Sequence, residues 1–96
     1  MIPCSKFKDN SFWQQLQHVF DECRETQMAY AEYTYGVYIG SDLEECNAMR
    51  DHVAEELVDI QVSCETALMI LGFSAKEREA IRAKVDEKNR RRGYYE

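Results

Sequence analysis

The chain has 96 residues, 18 acidic and 12 basic side chains, and a formal net charge of −6. Its length allows one domain, and its 45% hydrophobic and 31% charged residues are typical of a folded protein and too apolar for a disordered one. The acidic total argues against general nucleic-acid binding and against a basic membrane-surface helix, and no apolar run approaches the roughly 20 residues of a membrane-spanning helix.

After an extended segment over 1–10, the chain is predicted to be almost entirely helical. Its only proline lies at position 3, and apolar residues recur at helical spacing between the glycines. A serine followed three residues later by Gln or Glu, the capping-box pattern, marks three helix starts: Ser11 with Gln14, Ser41 with Glu44, and Ser74 with Glu77. We therefore predict a single domain over 1–96 with helices over 12–35, 43–71 and 75–92.

Two glycines and one aspartate bear on where these helices end. Gly36 and Gly72 stand where a left-handed residue commonly terminates a helix. The second helix either continues through Asp51 or breaks there. Two long helices and a shorter one form an open, hairpin-like layer whose apolar faces need another layer. Association into a helical bundle is the simplest way to provide it.

The cysteines, at positions 4, 23, 46 and 64, form no Cys-x-x-Cys pair, so we expect no zinc site. The first residues lack a signal-peptide pattern, which favours free thiols in a reducing cytoplasm. Three of the cysteines fall on apolar helical stripes and are expected to be buried. The tyrosines at positions 30, 33, 35 and 38 are expected in the core or at an interface, with a surface for stacking bases as the alternative.

Charge is unevenly distributed along the chain. Residues 9–65 contain 13 acidic and two basic side chains, whereas residues 76–92 contain eight basic and four acidic ones. An acidic body therefore precedes a basic end. This asymmetry favours a divided electrostatic role, and a solvated helix end that complements the helix dipole is the alternative.

Four carboxylates flank the apolar stripes instead of pointing away from them: Glu22 and Glu25 on the first helix, Glu56 and Asp59 on the second. Like charges three residues apart repel by about 0.2–0.5 kcal/mol, and more near a core. A hard divalent cation, Mg²⁺ or Mn²⁺, would compensate them. The alternative is that each acid reaches solvent or an arginine of a second subunit. His18 and His52 lie one turn before Glu22 and Glu56, but a surface or core position is the preferred interpretation for both.

Residues 21–25 (DECRE) and 56–59 (ELVD) resemble the two acidic motifs, Glu-Glu-x-x-Glu and Glu-x-x-Asp, of the MazG-like all-α nucleoside triphosphate pyrophosphohydrolases. Residues 84–94 resemble the closing helix of that family, which ends in a Lys-Asn-x-x-Arg-Gly type of run. The resemblance covers about 13–94. It departs from the family at Asp21, where Glu is usual, and in the slightly long segment between the motifs.

The resemblance implies an all-α fold, a helical hairpin plus a C-terminal helix, assembling into a four-helix-bundle-type dimer or tetramer with composite sites. It also implies hydrolysis of ribo- or deoxynucleoside triphosphates to the monophosphate and pyrophosphate. Mg²⁺, or Mn²⁺, would be held by Glu22, Glu25, Glu56 and Asp59. One of these acids, or Asp21, would orient the attacking water.

The basic end then gains a role as a polyphosphate site. Lys84, Lys88 and Arg92 could reach the β and γ phosphates, and Asn89 could contact a base or sugar edge. Trp13 could contact the base, although a core anchor is the more common role of such a residue. The alternative for the basic side chains is a solvated terminus.

Two other functions stay open from the sequence. One is a non-catalytic helical interaction module, or a pseudoenzyme that keeps the same fold. The other is an acidic mimic of nucleic acid, which ranks last because it needs the four acids to face outward. On none of these interpretations is a polymeric nucleic acid or a membrane a partner.

Overall fold

The computed structural model describes residues 1–95, and these contain three α-helices, one 3-10 turn and no strand. The 3-10 turn is Ser5–Phe7, α1 is Phe12–Tyr38, α2 is Leu43–Ile70 and α3 is Ala75–Arg91. The all-α class is therefore confirmed. α1 and α2 pack extensively against each other, whereas α3 turns by 119° from α2 and contacts it over few residues. In residues 1–95 no single helix is both long enough and apolar enough to cross a membrane. The bent pair of α2 and α3, taken together, reaches the required length and apolar composition.

Two of the three predicted capping boxes are present. The Ser11 N–H donates to Gln14 Oε1 at 2.9 Å and the Gln14 N–H donates to Ser11 Oγ at 3.1 Å, and Ser74 pairs with Glu77 in the same way. The box predicted at Ser41 and Glu44 is wrong.

The N-cap of α2 is Asp42, whose Oδ1 accepts the Glu45 N–H at 2.8 Å. Aspartate caps a helix as well as serine does, and its charge complements the positive end of the helix dipole. Ser41 instead belongs to the end of α1, since its N–H donates to the Gly36 carbonyl at 3.0 Å.

The predicted role of Gly36 is also wrong, because α1 continues for two more residues beyond it. Gly36 is buried inside the helix, where a Cβ would collide with the end of the Met49 side chain, so its function is close packing of α1 on α2. The left-handed residue is Gly40, with φ of 78°. Gly72, with φ of 95°, ends α2 as predicted, and α2 passes through Asp51 without a break.

The hairpin is one layer thick, so its apolar core is small. Within residues 1–95 the buried apolar side chains are Ala29 and Ala67 alone. Trp13 is 77% exposed and Tyr38 is 87% exposed, so neither is a core residue. Cys4 and Cys64 are exposed, and the other two cysteines are half-buried, so the prediction of buried thiols is wrong for a single chain. The reason is that one face of each apolar stripe has no neighbouring layer within the chain.

Polar contacts tie the elements together in place of a broad core. Gln15 is almost fully buried and its Nε2 donates to the Ser63 carbonyl at 3.1 Å, which joins α1 to α2. The Cys4 N–H donates to Thr66 Oγ1 at 2.9 Å, so the segment before α1 is attached to α2. These contacts hold α1 and α2 in the register that brings their carboxylates together.

Candidate metal centre

Three carboxylates from two helices meet in the groove of the hairpin. Oxygen atoms of Glu22 on α1 and of Glu56 and Asp59 on α2 all lie within 4.8 Å of one another. Glu56 and Asp59 share a face because they are three residues apart on a helix. The side chains of Glu22 and Glu56 are only 15% and 14% exposed, while Asp59 is exposed. We call these three residues the carboxylate cluster.

Two oxygen atoms of the carboxylate cluster are shielded from solvent and accept no hydrogen bond, Oε2 of Glu22 and Oε2 of Glu56. A buried carboxylate oxygen without a donor is costly, because the group has lost water and gained nothing in exchange. A divalent cation would satisfy both atoms. The donors are all carboxylate oxygens, which suit Mg²⁺ and Mn²⁺. The residues present therefore fit such an ion.

The pKa of Glu22 also indicates that the carboxylate cluster lacks a positive partner. Burial raises the pKa of Glu22, and the nearby charges of Glu25, Asp59 and Glu56 raise it further, although His18 opposes them. Negative charge at this point is thus disfavoured in the metal-free chain. A cation would reverse the balance, because it stabilises the ionised carboxylate.

Glu25, the fourth predicted ligand, lies outside the group of oxygens within 4.8 Å. It is exposed and lines a shallow cavity of about 190 Å³ together with Glu56 and His52. Its carboxylate is therefore close to the carboxylate cluster without being part of it.

Asp21 is engaged elsewhere. Its Oδ1 accepts hydrogen bonds from Arg24 Nη2 at 2.6 Å and from Gln17 Nε2 at 3.1 Å. It does not belong to the carboxylate cluster, although it is adjacent in sequence to Glu22, which does. The residue that departs from the family motif is thus a half-exposed ion-pair partner of Arg24.

The predicted polyphosphate-binding residues make no direct contact with the carboxylates that the ion pairs and hydrogen bonds of residues 1–95 record. Lys84, Lys88 and Arg92 are exposed on or just after α3, and no ion pair within residues 1–95 joins them to the cluster. Asn89 is half-buried, and its Nδ2 donates to the Tyr95 hydroxyl at 3.4 Å. Trp13 lies nine residues before Glu22, about 13 Å along α1 at 1.5 Å per residue.

Two histidines contact the cluster. His52 is exposed, in agreement with the preferred surface interpretation, and His18 is half-buried. Nε2 of His18 lies 3.2 Å from Glu22 Oε1, and Nε2 of His52 lies 3.6 Å from Glu56 Oε1. The signal in the sequence is the spacing of four residues on both helices, which places each imidazole on the same face as its glutamate.

Comparison with protein-family models, with curated proteins and with solved structures gives no match to this chain. Any assignment of function therefore depends on the acidic motifs and on the geometry of the carboxylate cluster.

Proposed function

We propose that the chain is a Mg²⁺-dependent hydrolase that converts ribo- or deoxynucleoside triphosphates to the monophosphate and pyrophosphate. The observation that carries the proposal is the approach of Glu22, Glu56 and Asp59 across the hairpin, with two shielded oxygens that accept no hydrogen bond. Carboxylates by themselves repel a triphosphate. A cation between the two is what makes such a site compatible with a polyphosphate substrate.

In this proposal the carboxylate cluster holds Mg²⁺, with Mn²⁺ as an equivalent ion, and Glu25 joins it from the adjoining cavity. The ion supplies polarisation of the phosphoryl oxygens and acidification of a water molecule. Glu25 is the acid best suited to orient the water that attacks the α phosphorus, because it is exposed beside Glu56. Asp21 is less suited, because Arg24 already occupies its carboxylate.

The proposed assembly is a homodimer, or a dimer of dimers, in which a second copy covers the exposed apolar face of the hairpin. Its support is the number of large apolar side chains left in solvent, among them Phe20, Leu57 and Val58. A four-helix bundle would bury them. The basic end of α3 would then approach the carboxylates of the partner, with Lys84, Lys88 and Arg92 on the phosphates and Asn89 and Trp13 on the nucleoside. A cytoplasmic location fits the four free cysteines.

The second candidate function is a non-catalytic interaction module with the same fold. Its support is the exposed aromatic surface, which includes Trp13 and Tyr38, together with the engagement of Asp21 by Arg24. It predicts no turnover of any nucleotide and no stabilisation by Mg²⁺ with a non-hydrolysable triphosphate.

A screen for pyrophosphate release over common and modified nucleotides with Mg²⁺ distinguishes the two. Glu56→Gln and Asp59→Asn should each abolish release, while Glu44→Gln, an exposed acid in the first turn of α2, should leave it unchanged. Release that persists in both cluster variants contradicts the assignment of the site. Absence of release across the whole panel contradicts the hydrolase proposal.

A further inference from the structure

Each half-buried glutamate of the carboxylate cluster is contacted by a histidine one turn earlier on its own helix. The contacts are His18 Nε2 to Glu22 Oε1 at 3.2 Å and His52 Nε2 to Glu56 Oε1 at 3.6 Å. In both glutamates it is the other oxygen, Oε2, that is shielded and accepts no hydrogen bond. The two oxygens of each carboxylate thus have different environments: Oε1 lies beside an imidazole, and Oε2 is shielded from solvent without a hydrogen bond.

The His18 ring contacts a second aromatic ring, that of Phe7. The Phe7 ring packs against it with centroids 5.4 Å apart and an interplanar angle of 42°. Phe7 closes the 3-10 turn, and Cys4, just before that turn, is bound to Thr66 of α2. Its counterpart His52 borders the cavity that Glu25 and Glu56 also line. An imidazole with limited freedom can fix the torsion of its neighbouring carboxylate.

We infer that His18 and His52 are positioning residues for the metal centre. With a proton on Nε2, each imidazole restrains Oε1 of its glutamate, so that the buried Oε2 stays turned to the cation. Without that contact the terminal torsion of a glutamate is broad and nearly unrestricted, and the carboxylate can turn toward solvent. The inference rests on the metal site of the proposed function, but not on the reaction.

Outer contacts of this kind commonly change metal affinity by about 10–100-fold. We therefore expect His18→Leu to weaken Mn²⁺ binding by about tenfold or more. His52→Leu should weaken it less, because its contact is longer. Leucine keeps the helix propensity and removes the donor.

Glutamine provides the rescue variant. On α1 itself, Gln17 Nε2 donates to Asp21 Oδ1 at 3.1 Å across the same spacing of four residues. His18→Gln and His52→Gln should therefore restore Mn²⁺ affinity to within about threefold of the original, well inside the 10–100-fold range of such effects. A role in packing alone would not produce this recovery. Gln27→Leu, at an exposed position of α1, is the matched control and should leave the affinity unchanged.

The measurement is a titration of the full chain with Mn²⁺, in which electron paramagnetic resonance counts the free ion. Far-ultraviolet circular dichroism checks that each variant is folded. If a leucine variant fails to fold, long-range ¹H–¹⁵N spectra of the original protein replace it, and these should show a proton on Nε2 of both imidazoles. The Nδ1–H tautomer at both histidines would overturn the inference.

Three other results would overturn it: leucine variants that bind Mn²⁺ as tightly as the original, glutamine variants that fail to recover, or ¹⁴N coupling to Mn²⁺ that shows direct imidazole ligation. The hydrolase proposal fails separately. Histidine-dependent Mn²⁺ binding in a protein that releases no pyrophosphate supports the inference and contradicts the hydrolase. The opposite outcome is pyrophosphate release that depends on Glu56, together with unaltered Mn²⁺ affinity in the leucine variants. It supports the hydrolase and contradicts the inference.

Discussion

Arg78 Nε of α3 donates to Glu65 Oε1 of α2 at 2.5 Å, and Glu65 is only 2% exposed. Arg82 forms an ion pair with the second oxygen of the same carboxylate. Arg78 also donates from Nη1 to the Phe73 carbonyl at 2.7 Å, in the turn that joins the two helices. Since α3 has few other contacts with α2, this charged group fixes the direction in which the basic end of the chain points.

Removal of either Glu65 or Arg78 alone should therefore lower the free energy of unfolding substantially. Glu65→Leu leaves Arg78 buried without its counter-charge, and such a loss typically costs about 3–5 kcal/mol. The double variant Glu65→Leu, Arg78→Met should recover much of it, because both buried charges leave together. Urea unfolding monitored by circular dichroism measures the differences.

The matched control for that prediction is the exposed pair of Arg90 and Glu87, at 3.0 Å on α3. Glu87→Leu should cost less than about 1 kcal/mol, because solvent screens the pair. Equal losses for Glu65→Leu and Glu87→Leu would show that the buried pair does not hold α3.

A second prediction concerns stability with and without metal, on which Glu56→Gln should have opposite effects. Mg²⁺ at a hundredfold excess over its dissociation constant should stabilise the original protein by about 2.7 kcal/mol, and EDTA should reverse the effect. Glu56→Gln should abolish the response but raise the metal-free Tm, because it removes a charge that Glu22 and Asp59 repel. Differential scanning fluorimetry measures both. Glu44→Gln should leave the Mg²⁺ response intact, and a metal-free Glu56→Gln protein with an unchanged or lower Tm would count against repulsion in the cluster.

The raised pKa of Glu22 gives a third prediction, on pH. Its ordinary value is 4.5, and burial together with neighbouring negative charge raises it in the folded chain. The folded state then binds the proton more tightly than the unfolded state, so stability falls as pH rises from 4.5 through the raised pKa. Glu22→Gln should remove this decline from the metal-free protein, whereas Mg²⁺ should reduce it. Urea unfolding from pH 4 to pH 7 tests the slope, and a decline that survives in Glu22→Gln belongs to another group.

Local sequence signals predicted the helices well and the site in part. Ser11 and Ser74 cap their helices through residues three positions away, so the pattern itself carries the information. The helix-end role predicted for Gly36 is wrong because the actual function of this glycine depends on Met49 of the other helix. The pairing of Glu65 with Arg78 depends on the angle between α2 and α3, which no periodicity in the chain encodes.

In the carboxylate cluster, too, local spacing could be predicted, whereas contacts between side chains could not. Motif spacing places Glu56 and Asp59 on one helix face. Their meeting with Glu22 follows from the positions of both acidic pairs beside the apolar stripes, and the family resemblance implies the same set. The spacing also gave the position of both histidines, but not their contact with the carboxylates, which depends on side-chain torsions.

The last prediction concerns the proposed dimer. If the carboxylates of one copy work with the basic end of the other, Glu56→Gln and Lys88→Ala proteins should each be inactive but should complement when mixed. Random exchange of subunits in a symmetric dimer makes half of the dimers mixed, and each of these holds one intact site. Pyrophosphate release should then return to roughly a quarter of the original rate, as two sites per dimer imply.

Mixing two Glu56→Gln preparations supplies the control, because no intact site can form from them. Leu57→Arg, at the exposed apolar face of α2, should lower the mass measured by light scattering to that of a single chain and prevent complementation. If Leu57→Arg proteins keep the original mass and still complement, the interface lies elsewhere. No recovery in the mixture, with subunit exchange verified by mass spectrometry, would place the carboxylates and the basic end of one site in the same chain.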